Sequence, residues 1–375
     1  MSSNVFDLAV IGGGVVGLAH ALAATRAGKR VVVIDKDSRA NGASIRNFGF
    51  ITVTGQERGD SWSLARRTRD VWAEVAPKAG ARVEQNGLYL TARSPEAIAV
   101  IEAFLATEMG EGCALMSAEG FRQASGGLGG PDLLGALYSP HDLRVESRTA
   151  IPALTAWLKA EMGVTFMTET VAFDAAPPVL RTSRGTVEAG AVVVCPGDDF
   201  VTLYPERIAS YGLKKCRLSM VKLADPGLRL PGALMSDLSL TRYRGYSALP
   251  EAAALDAKLR AEQPSHFENG VHLIVAQGAD GGLIVGDSHH YDHLPGPFAP
   301  AEAERDILDE YARATGRAAP PVLERWTGIY AVAADRTYLI DTPQPDVRLV
   351  IVTSGTGAST GFAIAERVIA DLFGL

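Results

Sequence analysis

Cysteine is scarce. The 375 residues hold three, Cys113, Cys195 and Cys216, scattered without the paired spacing of a zinc site or a disulfide framework. That argues against a stapled secreted scaffold, and it makes a reducing cytoplasm the expected location, with the thiols acting as small buried hydrophobes. A basic excess is also missing: the formal net charge is −7, so no nucleic-acid partner is expected. No apolar run is long enough to cross a bilayer. The apolar start lacks the basic region of a signal peptide. There is no internal repeat and no low-complexity linker. At 47% hydrophobic and 21% charged residues, the chain reads as a soluble globular protein of two domains or one composite domain.

The richest stretch is Asp7 to Lys36. A β-branched run, Leu8 to Ile11, leads into Gly12-Gly13-Gly14-Val15-Val16-Gly17. A small-residue helix follows to Ala27, Gly28 ends it, and a second strand, Arg30 to Ile34, stops at Asp35. In such a βαβ unit Gly12 makes the tight turn, Gly14 lets a pyrophosphate approach the backbone, and Gly17 lets helix and strand pack closely. The helix N-terminus offers free N–H groups to phosphate, and Asp35 stands where an acid accepts from a ribose hydroxyl.

Further on, Phe48 to Val53 reads as a strand and Asp60 to Ala76 as an amphipathic helix. Ser94-Pro95-Glu96 opens a helix that runs to Met109. Another helix spans Thr149 to Met162, with short strands at 164–166 and 170–173 after it. Ala191 to Cys195 is a buried strand ending at Pro196-Gly197. Strand-like runs then dominate: 218–223, 240–246, 271–275 and 283–286, the last two flanking a glycine-rich hairpin turn at 278–282. Ala301 to Ala314 is helical. The chain closes with a strand over 348–352, the turn Ser354 to Gly357, and a helix from Ala358 to Leu372. The expected fold class is α/β (α+β overall). A Rossmann-like dinucleotide-binding domain, discontinuous in sequence (1–80, 145–207 and 325–375), carries an inserted, mainly antiparallel-β substrate domain (81–144 and 208–324).

The acid at the end of the second strand disfavours a 2′-phosphate and hence NADP. NAD and FAD remain, and the C-terminal strand, glycine turn and helix favour FAD. A second helix start can stabilise the negative pyrimidine end of a reduced flavin.

With those motifs, and with Gly42-Ala43-Ser44-Ile45-Arg46-Asn47 after the second strand, the chain resembles the FAD-dependent D-amino-acid, glycine and sarcosine oxidase group over nearly its whole length. The resemblance implies that Val15, Val16 and Lys36 join the glycines and Asp35 in holding FAD. It places Ser44, Arg46 and Asn47 along the flavin and Val171 against adenine. Gly197 belongs to the same site. Gly355, Thr356, Gly357, Ser359 and Thr360 should cover the pyrimidine end. Sarcosine oxidases of this group attach flavin through a cysteine in the stretch matching Arg325–Asp341. Gly328 stands there instead, so noncovalent FAD is expected. Glycine and D-amino-acid oxidases carry a carboxylate-binding arginine where this chain has Tyr330, and a tyrosine cannot form a bidentate ion pair. That argues against a simple α-amino acid as substrate.

Donors for another anion are present. Read as a strand, Leu240–Tyr246 puts Arg242, Arg244 and Tyr246 on one face and Tyr243 on the other. A solvated strand face is the competing reading of the two arginines. In Gly286–His293, the adjacent His289 and His290 should face opposite ways. Candidate substrate contacts are Arg242, Tyr243, Tyr246, His290 and Tyr330. Candidate catalytic groups are His289, His290 and Arg46, and no metal is expected. The SIRNFGF and GDSHHYD segments look like a subgroup associated with aminophosphonate breakdown. The implied reaction is FAD-dependent oxidative deamination of a primary or N-methylated amine of the 2-aminoethylphosphonate type. Hydride goes to flavin, the imine hydrolyses to an aldehyde, and dioxygen or another acceptor reoxidises the flavin. Alternatives are a 2-hydroxy acid dehydrogenase using His289 or His290 as base, a glycine- or sarcosine-type oxidase, and a non-catalytic flavin subunit of an electron-transfer assembly.

Overall fold

Two sheets organise the chain, and the cofactor motifs lie where they meet. The structure, a computed structural model, describes residues 5–375. Among these, the first sheet has seven strands. Its path runs Tyr338–Gln344, Val347–Val352, Gly185–Val194, Phe6–Ile11, Val31–Ile34 and Thr165–Met167, with Val179–Thr182 paired to Gly185–Val194. Phe6–Ile11 is central and parallel to both neighbours, Leu8 standing opposite Val31 on one side and Ala191 on the other. Strands buried on both faces read as continuous apolar runs, and Val31–Ile34 is buried throughout.

The helix Val15–Arg26 is buried on most of its surface. Alanine and glycine let the C-terminal helix Gly357–Phe373 pack directly on it. That last helix also leans on Asp60–Lys78. Trp72, 1% exposed, sits edge-on to Phe362 at 5.1 Å and donates its indole N–H to the Ala358 carbonyl at 2.9 Å. Cutting Trp72 back to alanine would cost about 3–5 kcal/mol.

The second sheet has ten strands, mostly antiparallel. Its long members are Val83–Ala92, Gly135–Val145, Lys214–Leu223 and Val322–Val332. The hairpin expected at 278–282 is present, joining Ile274–Gln277 to Leu283–Gly286 with Ile274 opposite Gly286. Phe50–Ile51 and Val322–Val332 hydrogen-bond within this second sheet, so the chain passes between the sheets inside the segments expected at 1–80 and around 325. Ser94 caps its helix as read, accepting from the Ala97 N–H at 3.2 Å. The helix ends at Leu105, and Glu108–Gly110 adds a 3₁₀ turn.

Two expected strands are absent: at 170–173 only an isolated bridge joins Ala172 to Thr182, and the second is the run at 240–246. Residues 240–246 form the end of a 3₁₀ turn, Asp237–Thr241, and a short helix, Arg244–Ser247. The alternation that put Arg242, Arg244 and Tyr246 on one face therefore does not apply.

Candidate active site

Two cavities lie on either side of the glycine loop. Each is bordered by Gly14, Ser44 and Gly197. The smaller, about 220 Å³, is also lined by Gly12, Asp35, Lys36 and Val171. The larger, about 480 Å³, extends between the two sheets. The loop is built for close approach to a ligand. Gly12 has φ +110. A Cβ on Gly17 would lie 1.8 Å from the Gly12 carbonyl oxygen, whereas one on Gly14 would meet only Ser44 Oγ, at 3.0 Å. Protein packing thus forbids a side chain at 17, while the space in front of Gly14 is left open. Val15 N–H donates to Ser44 Oγ at 2.9 Å. Asp35 accepts from the N–H groups of Gly13 and Asp37, which fixes its carboxylate at the edge of the smaller cavity. Lys36 is tied to Asp199 at 2.6 Å, and this pairing raises the ammonium pKa.

The larger cavity gathers residues far apart in sequence. From the glycine loop come Val15, Val16 and Gly17, from the segment after the second strand Arg46 and Asn47, and from the C-terminal turn Gly355, Thr356, Gly357 and Ser359. Arg46 is braced by Asn41 at 3.4 Å. Asn47 is spent on its own turn, donating to the Ala43 carbonyl and accepting from Gly49 N–H and Ser147 Oγ. Ser359 Oγ accepts from Thr52 N–H at 2.9 Å, tying the last helix to the start of the second sheet. Thr360 is buried outside the lining and donates to the Thr356 carbonyl. Gly355, at φ +73, packs against the Tyr330 ring; a Cβ there would lie 2.9 Å from it. These cradles, two helix starts and an acid at the far end fit an elongated dinucleotide such as FAD.

The substrate candidates divide. Arg242, Tyr243, His289 and Tyr330 line the larger cavity. Tyr246 does not: it is fully buried and packs on Phe104 at 4.8 Å between ring centres, because its helical turn rotates it into the core. His290 does not either. It lies on the outer strand His290–Asp292, paired with Arg217, on the face opposite His289. Arg244 reaches the cavity rim and pairs with Glu57 at 3.1 Å. Arg242 donates to Tyr291 Oη at 2.8 Å. Burial pushes the Tyr330 hydroxyl pKa well above its usual value.

The cavity lining also includes Tyr291, His272 and Asp287, none singled out from the sequence; of these, His272 and Asp287 meet directly. The hairpin brings them together: Asp287 N–H donates to the His272 carbonyl at 3.0 Å. His272 Nε2 lies 3.1 Å from Asp287 Oδ1, and His289 Nε2 lies 3.6 Å from Oδ2. Burial holds both imidazoles below the usual histidine pKa. Burial would raise the Asp287 pKa, but His289, His272 and Arg242 outweigh it and hold the carboxyl below its usual value. Extending the hairpin register from Ile274 opposite Gly286 would set Ser288, not Asp287, opposite His272; the pairing shifts by one residue there, so nothing in the local sequence signals this meeting.

Among the described residues, no helix is long and apolar enough to cross a membrane. No curated protein matches the chain in sequence. Three solved structures are similar in fold. Glycine oxidase from Bacillus cereus ATCC 14579 is 18% identical, with 98% of this chain and 95% of that chain covered and a TM-score of 0.78. L-proline dehydrogenase from P. horikoshii is 18% identical, with 99% and 94% covered and a TM-score of 0.79. L-α-glycerophosphate oxidase from Mycoplasma pneumoniae, solved with FAD bound, is 14% identical, with 98% and 95% covered and a TM-score of 0.73. The profile of the family described as FAD dependent oxidoreductase matches residues 7–372. With a glycine loop at one end, a glycine turn at the other and that match across nearly its full length, the chain belongs to the FAD-dependent oxidoreductase family.

Proposed function

We propose that the protein oxidises a small amine bearing a strong anionic group, of the 2-aminoethylphosphonate type, primary or N-methylated. The observation that carries this reading is the spare donor capacity of Arg242. A guanidinium has five N–H donors. Among the described residues its side chain makes one hydrogen bond, to Tyr291 Oη, while it lines the cavity. In the same lining stands Tyr330, which cannot grip a carboxylate bidentately. A phosphonate dianion accepts several charge-assisted bonds and suits Arg242 with Tyr291 better than an α-carboxylate suits Tyr330.

In this reading the anion is held by Arg242 and Tyr291. Tyr243 and Tyr330 bound the volume left for the amine. The start of helix Gly357–Phe373 gives its end of the cavity a partial positive charge. Bound FAD supplies the two-electron acceptor for the C–H next to nitrogen, after which water releases ammonia or methylamine from the imine. Dioxygen is the proposed final acceptor. FAD is held without a covalent bond, since no cysteine stands at Gly328.

A second reading, oxidation of a hydroxylated anion, is favoured by His289 in the cavity wall, where an imidazole can take a hydroxyl proton. A substrate panel separates the two. It contains 2-aminoethylphosphonate, its N-methyl derivative, 2-hydroxyethylphosphonate, glycine, sarcosine and a neutral amine, mixed anaerobically while flavin bleaching is followed. The aminophosphonates should reduce flavin fastest. Arg242→Met should lower kcat/KM for them by roughly ten- to a hundredfold, one charge-assisted bond being worth about 1.5–3 kcal/mol, and should barely affect the neutral amine. Preference for glycine or sarcosine, or equal losses on both substrates, refutes the reading.

A further inference from the structure

We propose that His272, Asp287 and His289 form a site for one divalent first-row transition-metal ion, with an open coordination position on the larger cavity. All three side chains line that cavity, all are buried, and their ligand atoms lie within 4.8 Å of one another.

The hydrogen-bond accounting points to a cation. His289 Nδ1 lies 2.8 Å from the Gly270 carbonyl, so this nitrogen carries the hydrogen. The neutral ring then presents the Nε2 lone pair to Asp287 Oδ2 at 3.6 Å, an acceptor facing an acceptor. On the other side, His272 Nε2 is 3.1 Å from Oδ1 but out of line, and Oδ1 is buried with no hydrogen-bond partner among the described residues. An unpaired buried carboxylate oxygen is costly. One cation between the three groups removes both conflicts.

The donor set and its supports agree. Two imidazoles and a carboxylate suit zinc, iron(II) or manganese, leaving at least one position open. A tetrahedral ion at about 2.0–2.1 Å from each ligand sets the ligand atoms roughly 3.3 Å apart, a closure within reach of ring rotations. Ligating histidines commonly anchor their second nitrogen on an outer acceptor. Here Gly270 serves His289, and Ser239 Oγ lies 3.4 Å from His272 Nδ1. The rings are held nearly parallel, 5.1 Å apart at 25°. With Arg242 in the same wall, an occupied site carries net positive charge and invites an anion; this last step rests on the proposed anionic substrate.

The test uses the FAD holoenzyme, stripped with a chelator and titrated with Co²⁺, read by ligand-field absorption beyond the flavin bands and by metal content. One ion per chain should bind. His272→Gln and His289→Gln should each weaken binding by roughly tenfold or more with FAD content retained, and His290→Ala should not. Failure of the wild-type holoenzyme to bind at about tenfold excess, or unchanged binding in both glutamine variants, overturns the site. Should a variant not fold, the wild-type cobalt spectrum decides alone, since imidazole–carboxylate ligation gives bands that free aqueous cobalt lacks. Methylphosphonate should shift those bands. Bands that form but do not move overturn the anionic-substrate reading and leave the cation site standing.

Discussion

Gly14→Ala should separate the nucleotide cradle from the fold. Gly14 has φ −73 and ψ 176, a conformation alanine adopts freely, and its added methyl would meet only Ser44 Oγ, at 3.0 Å. The apoprotein should keep its stability to within about 0.5–1 kcal/mol. The methyl does occupy the space a pyrophosphate needs to reach the helix start. Losing one to two charge-assisted hydrogen bonds at about 1.5–3 kcal/mol each predicts FAD affinity lower by roughly ten- to ten-thousandfold. Gly17→Ala is the contrasting case. Its methyl would lie 1.8 Å from a backbone oxygen, so that chain should fail to fold. The assay is thermal unfolding of apoprotein together with FAD titration by flavin fluorescence quenching. A Gly14→Ala protein that keeps wild-type affinity, or a Gly17→Ala protein with wild-type melting, would refute the division of roles.

Acid precipitation should leave intact FAD in a yellow supernatant; colour retained by the pellet would show a covalent link. The buried network of Arg93, Asp237 and Glu310 gives two stability predictions. Arg93 bridges both carboxylates, at 2.6 Å to Glu310, and burial pushes the Glu310 pKa upward. The folded state therefore binds a proton more tightly than the unfolded one, so this group's contribution falls as pH rises from the ordinary carboxylate range toward neutrality. Glu310→Gln should flatten that part of the melting-temperature profile; an unchanged slope would refute it. Arg93→Met leaves two buried carboxylates without their cation and should cost about 3–5 kcal/mol in denaturant unfolding, and a loss under 1 kcal/mol would show that the pair is neutralised otherwise.

The two glycine turns that border the cavities were legible because their signals are local. Consecutive glycines, a buried strand and a small-residue helix fall within thirty residues of Asp7, and the same grammar recurs at Val350–Ala370. The arginine and histidine lining of the larger cavity was legible only in composition. Arg242 does reach the cavity, but through a 3₁₀ turn, so strand alternation carried Tyr246 to the wrong place. The adjacent His289 and His290 were separable in principle by strand geometry, though which one faces inward depends on pairing with Lys214–Leu223. His272 was missed because nothing near it in sequence marks it. Its partner, Asp287, arrives across a hairpin, one residue off the register of the paired strands.

The packing of the first helix, Val15–Arg26, against the last, Gly357–Phe373, has a consequence for how the protein comes into being. A chain still being synthesised holds its pyrophosphate loop early but cannot complete the flavin end until Gly355 and the helix behind it have emerged. If both turns hold FAD, cofactor capture is a late event that spans the whole chain. FAD bound across both turns would bridge residues more than three hundred positions apart and stabilise only the finished fold, by an amount that grows with its free concentration. The cell's flavin supply would then set how long a newly made copy survives proteolysis, and a cofactor-starved cell would lose the protein as well as its activity.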